Sequence, residues 1–306
     1  MPVVSVAICC YNSERYLDQT IQSVIKQTIK DWELIIVNDG SSDSTEDIIK
    51  KYMNSGYNII YHWQENKGFG AARNKCVELA KSDYIAIIDH DDICLPNRLE
   101  VQINSAKKYP QAALLFSNSE HILDDGTIIQ KQFDSFNIDP CTLNLSSGSA
   151  AEKLLFHGCF IDSETVLFRK DAAIKVGGFN STYKYIVDYD FFLRIGEKYD
   201  IVCDSQVLSQ WRVHPQQASR TMHETIYLES IDLLKKWECK PSISLEIQHA
   251  IRLQSWLCLV RYSLFLIRLG RLHDSKKYIL ESFKKNLYLN NIIKYLIKKI
   301  YHRFIK

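Results

Sequence analysis

Residues 84–92 read Tyr84-Ile85-Ala86-Ile87-Ile88-Asp89-His90-Asp91-Asp92, an uncharged run that ends in three acids. A short apolar run of this kind is typical of a strand buried on both faces of a parallel sheet. Carboxylates so close together repel one another, and a bound cation relieves that repulsion. The stretch therefore predicts a buried strand with a cation site at its end. The alternative is a solvated acidic turn before a helix that begins near Asn97.

Similar apolar runs, each followed by a turn and a helical pattern, precede this stretch. They lie at residues 3–10, 34–37 and 59–63. The alternation predicts an α/β fold with a Rossmann-like, mostly parallel sheet flanked by helices. Ligands of such sheets bind beyond the carboxyl ends of the strands. The polar clusters of this half fall at such ends: Tyr11-Asn12, Asn38-Asp39, residues 66–74 and residues 89–92.

The rest of the chain is predicted in two parts. Strands at residues 112–116, 165–168 and 207–213, a hairpin around Asp124-Asp125-Gly126 and a helix from Asp188 complete a first domain over residues 1–220. Residues 221–306 are predicted to form a helical C-terminal extension. Near the start of the chain, Asn12 and Ser13 are expected to cap a helix over about residues 14–26.

Charge is distributed unevenly along the 306 residues. The chain has 38 Lys and Arg and 36 Asp and Glu, a net charge of +2. Residues 282–306 contain seven of the basic residues and no acidic one, so the rest of the chain is net negative. A negative body argues against a nucleic acid as partner.

The basic tail also has an apolar side. Its large apolar residues recur at i, i+3, i+4 and i+7, so they share one face of a helix. They are Leu289, Ile292, Ile293, Leu296, Ile297, Ile300 and Phe304. A helix with this face, flanked by Lys and Arg, is predicted to make a peripheral contact with an anionic membrane surface. The alternative is that the stripe packs on the protein and the lysines face water.

The nine cysteines are scattered and include no C-x-x-C pair, which argues against structural zinc. Unpaired thiols are typical of the reducing cytosol. Residues 1–5 show no signal-peptide pattern, and the chain has no stretch of 18 uncharged apolar residues. We therefore expect a cytoplasmic protein that can lie peripherally on the inner face of a membrane.

Two candidate ligand-binding segments follow the second and third predicted strands. Asp39 has a carboxylate that can accept a hydrogen bond from a nucleobase edge, or can simply form an Asx turn. Asn66 and Gly68 bring backbone close to a ligand, and Arg73 follows one turn into a helix. The alternative for this second segment is an ordinary helix start.

Two candidate catalytic segments lie later in the chain. Asp188, with Asp190 as a fallback, stands at a helix start, where a carboxylate can serve as a general base or as an N-cap. Arg212 and His214 lie at the end of the last predicted strand and can neutralise a leaving diphosphate. A histidine in such a place more commonly takes no part in binding or catalysis.

As an ordered set, these motifs resemble the inverting glycosyltransferase family 2, which has the GT-A fold. The resemblance covers about residues 2–220. It rests on Val6 to Asn12, Val37 to Asp43, Asn66-x-Gly68 with Arg73-Asn74, Asp89-x-Asp91-Asp92 with Pro96 and Arg98, Gly177-Gly178-Phe179, Asp188-Tyr189-Asp190 and Arg212-x-His214. Each motif is weak singly, but their order is specific.

The resemblance implies a role for each residue. Asp39 would bind the uracil or thymine of a nucleotide-sugar donor, and Asp188 would be the catalytic base. The metal, Mn²⁺ or Mg²⁺, would be held by Asp91, Asp89 and His214. The donor-binding residues would be Tyr11, Asn12, Asp39, Asn66, Gly68, Arg73, Asp89, Asp92 and Arg212. About residues 1–118 would form the nucleotide-binding half and residues 119–220 the acceptor half.

The implied reaction moves a sugar, from a UDP-sugar or a similar donor, to a hydroxyl of a glycan or lipid-linked glycan, as in bacterial surface polysaccharide synthesis. Two departures from the family pattern are Val187, which replaces the usual Glu before the base, and Cys9-Cys10, which replace Pro-Thr. Two alternatives are a nucleotidyltransferase of similar fold and a non-catalytic nucleotide-sugar-binding protein. The first needs a basic Gly-rich loop after the first strand, and residues 11–14 are not one.

Overall fold

The computed structural model describes residues 1–136, 139–143, 145–241 and 243–285. The chain divides into two units, one over Met1–Thr221 and one that begins at Met222. The first unit contains an α/β sheet, and the second is helical in its described part. The amphipathic tail predicted at residues 289–304 lies outside the described residues.

Four parallel strands form one half of the sheet. β1 (Val4–Cys10), β2 (Trp32–Asn38), β3 (Ile59–Trp63) and β4 (Tyr84–Ile87) pair in the order β3-β2-β1-β4. The helices between them are α1 (Leu17–Ile25), α2 (Thr45–Met53) and α3 (Phe69–Leu79). Every residue of β2 is buried, as its uninterrupted apolar centre predicts. Cys10 is in register with Asn38, so the loops that follow β1 and β2 emerge side by side.

The other half of the sheet is mixed. Its strands are β5 (Ile93–Cys94), β6 (Ala112–Ile122), β7 (Ile128–Lys131), β8 (Leu167–Arg169) and β9 (Asp200–Arg212). β8 pairs antiparallel with β4 and β6, whereas β9 is parallel to β6 and antiparallel to β5. The helices are α4 (Arg98–Lys108), α5 (Gln132–Ser135), α6 (Ser149–His157), α7 (Lys170–Lys175), α8 (Val187–Lys198) and α9 (Ala218–Thr221). Two 3₁₀ turns lie at Pro140–Thr142 and Ser163–Thr165.

The predicted α/β fold is confirmed, and so is the hairpin, which joins β6 to β7. The predicted cap of the first helix was wrong. α1 begins at Leu17, and Asn12 lies in the left-handed region with φ 49°. The Ser13 hydroxyl accepts a hydrogen bond from the Tyr11 N–H at 3.1 Å, so it stabilises the loop after β1 instead of the helix.

The expectation that every thiol is unpaired was also wrong. Cys141 and Cys203 form a disulfide across 62 residues of sequence. Neither cysteine belongs to a recognisable motif, and only the fold brings the 3₁₀ turn at Pro140–Thr142 beside β9. The other seven cysteines are free within the described chain.

Three helices make up the described part of the second unit: α10 (His223–Glu238), α11 (Leu245–Arg268) and α12 (Leu272–Lys285). Among the described residues, α11 alone is long and apolar enough to cross a membrane by length and composition. Its best 18-residue window has a mean hydropathy of 1.3, and 39% of that window is buried. Ile251, Leu259 and Leu266 are wholly buried, and α11 packs against α10 and α12. Core helices of soluble proteins pass the same test of length and composition.

Candidate active site

The carboxylate of Asp39, at the carboxyl end of β2, organises the loop that precedes α3. Its Oδ1 accepts from the Gln64 side-chain amide at 2.7 Å and from the Lys67 N–H at 2.9 Å, and its Oδ2 accepts from the Gly68 N–H at 2.8 Å. Gly40 lies at φ +81°, and a Cβ there would come within 2.8 Å of the Asn66 nitrogen. The two loops are therefore in direct contact, and Asp39 determines where Asn66 and Gly68 lie.

The loops after β1 and β2 are joined by Asn12. Its side-chain oxygen accepts from the Ser42 N–H at 2.9 Å, and its own N–H donates to the Ser41 hydroxyl at 2.9 Å. The side chain of Tyr11 is half exposed beside this junction. The structure thus places Tyr11 and Asn12 next to Asp39 at one edge of the sheet, where the sequence predicts a nucleoside site.

Arg73, on α3, joins two acids that are far apart in sequence. Its guanidinium is buried, donates to Asp89 Oδ1 at 2.8 Å through Nη2, and forms an ion pair with Asp188 through Nη1. The ring of Phe179 lies 5.8 Å from the guanidinium carbon. Asp188 is in the first turn of α8 and Asp89 follows β4. The guanidinium of Arg73 therefore holds both the predicted catalytic base, Asp188, and a predicted metal ligand, Asp89.

A cluster of acidic side chains lies beside this ion pair. Asp89 Oδ2 accepts from the Ser163 hydroxyl at 2.7 Å, and carboxyl oxygens of Asp89, Asp92 and Glu164 lie within 4.8 Å of one another. Asp92 Oδ2 and Glu164 Oε1 are buried and have no hydrogen-bond partner among the described residues. The sequence did not single out Glu164, because a residue in an isolated 3₁₀ turn belongs to no local pattern.

Burial raises the pKa of both Asp92 and Glu164 well above the ordinary range. The neighbouring carboxylates of Asp91 and Glu164 raise it further at Asp92, and those of Asp162 and Asp89 do so at Glu164. This cluster has several carboxylate oxygens and few hydrogen-bond donors to balance them. A divalent cation such as Mg²⁺ or Mn²⁺ binds such hard oxygen ligands and offsets their negative charge. The arrangement therefore fits a bound metal.

Asp91 lies apart from that cluster and contacts His214. Its Oδ2 is 2.9 Å from His214 Nε2, and both side chains are mostly buried. Burial by itself raises the pKa of Asp91, but the charge of His90 and the hydrogen bond from His214 outweigh it and hold the pKa below its usual value. In the described part of the chain, the predicted ligands Asp89, Asp91 and His214 do not form one cluster. Asp89 groups with Asp92 and Glu164 instead.

Arg212, at the end of β9, supports the acidic loop. Its Nε donates to the Asp91 carbonyl at 2.9 Å, its Nη2 donates to Gln19 at 2.8 Å, and its backbone N–H donates to Asp92 Oδ1 at 2.8 Å. The guanidinium is buried and lies 4.8 Å from the centre of the Tyr16 ring. These contacts orient the acidic loop, and the direct contact of Arg212 with a donor diphosphate stays a prediction.

Asp190, the fallback base, is already engaged. Its Oδ2 lies 2.6 Å from Nη2 and 2.8 Å from Nε of Arg194, one turn later on α8. The residue is buried. The Asp190 side chain keeps 9% of its surface exposed, against 22% for Asp188, so an acceptor hydroxyl can reach Asp188 more readily. The placement favours Asp188 as the base.

Solved structures share this fold. A Staphylococcus aureus protein, TarS residues 1–349 in complex with UDP-GlcNAc, matches with a TM-score of 0.63 at 16% identity, over 95% of this chain and 93% of that one. The mannosyltransferase PcManGT from Pyrobaculum calidifontis, in complex with GDP-Man and Mn²⁺, matches with a TM-score of 0.64 at 16% identity, over 98% and 84%. These matches show that the chain has the GT-A fold.

Sequence comparison places the chain more narrowly. It belongs to glycosyltransferase family 2, since the model of the family described as "Glycosyl transferase family 2" matches residues 5–177. An uncharacterised glycosyltransferase of Rickettsia typhi is 32% identical, over 72% of this chain and 67% of its own length. A second, from Haemophilus influenzae, is 29% identical over 98% of both chains. The Escherichia coli chondroitin synthase is 27% identical over 80% of this chain, which spans about a third of that longer protein. The predicted enzyme class and family are thus confirmed.

Proposed function

We propose that this glycosyltransferase moves a sugar from a nucleoside-diphosphate sugar, a UDP-sugar, to a hydroxyl of a glycan or lipid-linked glycan, with inversion at the anomeric carbon. The observation that carries the proposal is the position of Arg73, which holds Asp188 and Asp89 together beside the loops that Asp39 organises. The named ligands of the structural neighbours, UDP-GlcNAc and GDP-Man, support a donor of this class.

The chemistry divides between the two ends of the site. Asp188 takes the proton of the acceptor hydroxyl while the oxygen attacks the anomeric carbon from the face opposite the leaving nucleoside diphosphate. Arg73, which forms an ion pair with Asp188, orients that carboxylate. A single displacement of this kind inverts the anomeric centre, because bond making and bond breaking occur on opposite faces.

A divalent metal completes the proposed site. Asp89 and Asp91, whose side chains keep 27% and 15% of their surface exposed, would hold it, with Asp92 and Glu164 in reach of Asp89 and with His214 paired to Asp91. When bound, Mn²⁺ or Mg²⁺ neutralises the negative charge of the departing diphosphate. Ser163 and Arg73 orient Asp89, and Arg212 orients the loop that carries Asp91 and Asp92.

Diphosphate release from a panel of donors tests the proposal. The purified full-length chain is incubated with UDP-, dTDP- and GDP-sugars in Mn²⁺ or Mg²⁺, and release of the nucleoside diphosphate is measured. We expect metal-dependent release from a UDP-sugar, with the Asp188→Asn variant as the blank. Release from no donor, with or without simple glycan acceptors, would contradict the proposed reaction.

Replacing Asp39 by Ala is expected to weaken UDP binding by about 1.5–3 kcal/mol, the scale of a lost hydrogen bond to a charged group. The loss would have two sources, since the carboxylate is proposed to bind the nucleobase and also holds the N–H groups of Lys67 and Gly68. Calorimetry with UDP measures the effect. Asp47→Ala, at an exposed position on α2, is the matched control, and unchanged affinity in Asp39→Ala would remove the assignment.

We also propose that residues 286–306 hold the enzyme peripherally on the cytoplasmic face of a membrane, where a lipid-linked acceptor would lie. The support is the sequence pattern alone. Each Lys or Arg near an anionic leaflet contributes about 1 kcal/mol, so the full chain is expected to float with anionic vesicles at low salt, whereas a chain ending at Lys285 stays behind. A full-length variant with Lys294, Lys298 and Lys299 changed to Gln separates charge from apolar contact. Equal flotation of full and shortened chains, or none, would contradict the proposal.

A further inference from the structure

The side chain of Asn74 pairs with both polar backbone groups of Phe179. Its Oδ1 accepts from the Phe179 N–H at 2.7 Å, and its Nδ2 donates to the Phe179 carbonyl at 2.8 Å. The Asn74 amide thus forms the two hydrogen bonds that the backbone of a neighbouring strand would form with Phe179. Asn74 lies on α3, and Phe179 lies in the loop between α7 and α8. Two opposed hydrogen bonds define both the distance and the orientation of the loop, because each forms only over a narrow range of distance and angle.

Two glycines let the helix and the loop approach this closely. A Cβ on Gly178, which lies at φ +68°, would come within 2.5 Å of Asn74 Oδ1. A Cβ on Gly70 would come within 2.9 Å of the Ser181 Cα. Backbone therefore packs against backbone at this contact, and the amide of Asn74 fills the space that the missing Cβ of Gly178 leaves. The contact has little freedom to shift while these residues are in place.

Phe179 also packs against α8, so the position of the loop affects the position of that helix. Its ring stacks on that of Phe191, with ring centres 4.1 Å apart and planes at 27°, and both side chains are buried. Phe191 lies three residues after Asp188 and so on the same side of the helix. Arg73, the neighbour of Asn74, contacts Asp188 directly. Two adjacent residues of α3 therefore hold the first turn of α8, one through charge and the other through the ring of Phe179.

We propose that Asn74 is a positioning residue for the base Asp188, a role that rests on the proposed function. It does not touch the reacting groups; it sets the distance between α8 and the donor side of the site through Phe179 and Phe191. Proton transfer and attack depend steeply on such distances, and misplacement of about 1 Å can cost about 10²-fold in rate. Among the described residues, the Asn74 side chain bonds to Phe179 and Ser181 and not to the loops after β1 and β2, where the nucleoside is proposed to bind.

Kinetics of donor hydrolysis, with water as acceptor, test the role. Asn74→Ala is expected to lower kcat by about 10- to 100-fold, with the KM for donor and the affinity for UDP changed less than about twofold. Asn74→Asp keeps an acceptor for the Phe179 N–H but loses the donor, so its kcat should lie in between. Asn180→Ala is the matched control, because the Asn180 side chain accepts only from Thr182 within the same loop, and its kcat should stay within about twofold of the parent enzyme.

A second readout separates this inference from the proposed function. Hydrogen exchange of the Phe179 amide should become faster in Asn74→Ala, which removes its acceptor, and stay unchanged in Asn180→Ala, which frees the Thr182 N–H instead, whether or not any donor is turned over. If the parent enzyme hydrolyses no donor, the proposed function is contradicted, but the exchange measurement still tests whether Asn74 holds Phe179 in place. Unchanged exchange, or a kcat within threefold of the parent, would overturn the inference. So would equal losses in kcat and UDP affinity. If Asn74→Ala does not fold, Asn74→Asp carries the same comparisons.

Discussion

Replacing Asp188 by Asn is expected to lower kcat by about 10²-fold or more while nucleotide binding survives. Asparagine keeps the shape of the side chain but cannot accept the proton of an acceptor hydroxyl. The substitution also removes the charge that pairs with Arg73, so the affinity for UDP must be measured alongside the rate. A fall in kcat with little change in UDP affinity identifies a group that acts in the chemical step.

Asp190→Asn is the matched control for this experiment. It makes the same chemical change two residues further along α8, at a carboxylate that pairs with Arg194. We expect it to lower the free energy of unfolding, because the partly buried Arg194 loses its charged partner, and to leave most of the catalytic rate. An active Asp188→Asn together with an inactive Asp190→Asn would show that the base had been assigned to the wrong carboxylate.

Removal of the metal is expected to have an effect of similar size. Excess chelator should reduce activity to background, and added Mn²⁺ or Mg²⁺ should restore it, because the leaving diphosphate would otherwise depart with its charge uncompensated. The acidic cluster of Asp89, Asp92 and Glu164 motivates this prediction. Full turnover in chelator, after dialysis to remove metal carried through purification, would contradict it.

Single substitutions would show which carboxylates hold the ion. The Asp89 and Asp91 side chains keep 27% and 15% of their surface exposed, whereas Glu164 is 1% exposed. An ion shared with substrate phosphates must reach the solvent side of the site. We therefore expect Asp91→Ala to lose more activity than Asp89→Ala, and both to require more Mn²⁺, while Glu164→Gln serves as the buried, isosteric control. A Mn²⁺ requirement raised equally by Glu164→Gln would place the ion in the buried cluster instead.

The residues of the candidate site differ in how far local sequence reveals their roles. Asp39, Asp89 and Asp188 each stand at the end of a strand or the start of a helix, so local patterns alone point to them. Glu164 has no such local signature, and Asn74 stands out only as part of the Arg73-Asn74 motif; the contacts of both are with partners about 70 to 105 residues away in the chain. The burial of Arg212 likewise comes from distant contacts with Gln19 and the acidic loop.

The sequence by itself determined the parallel half of the sheet and the edge at which the polar groups collect. Short apolar runs such as those of β2 and β4, each followed by a turn and a helical pattern, favour buried parallel strands, and the turn after each run carries the polar residues to the same edge. Tertiary structure alone decided the mixed half, in which β9 inserts between β6 and β5, and the pairing of Arg73 with both Asp89 and Asp188. Strand order and ion pairs of this kind depend on segments distant in sequence, whose contacts leave no period or spacing along the chain.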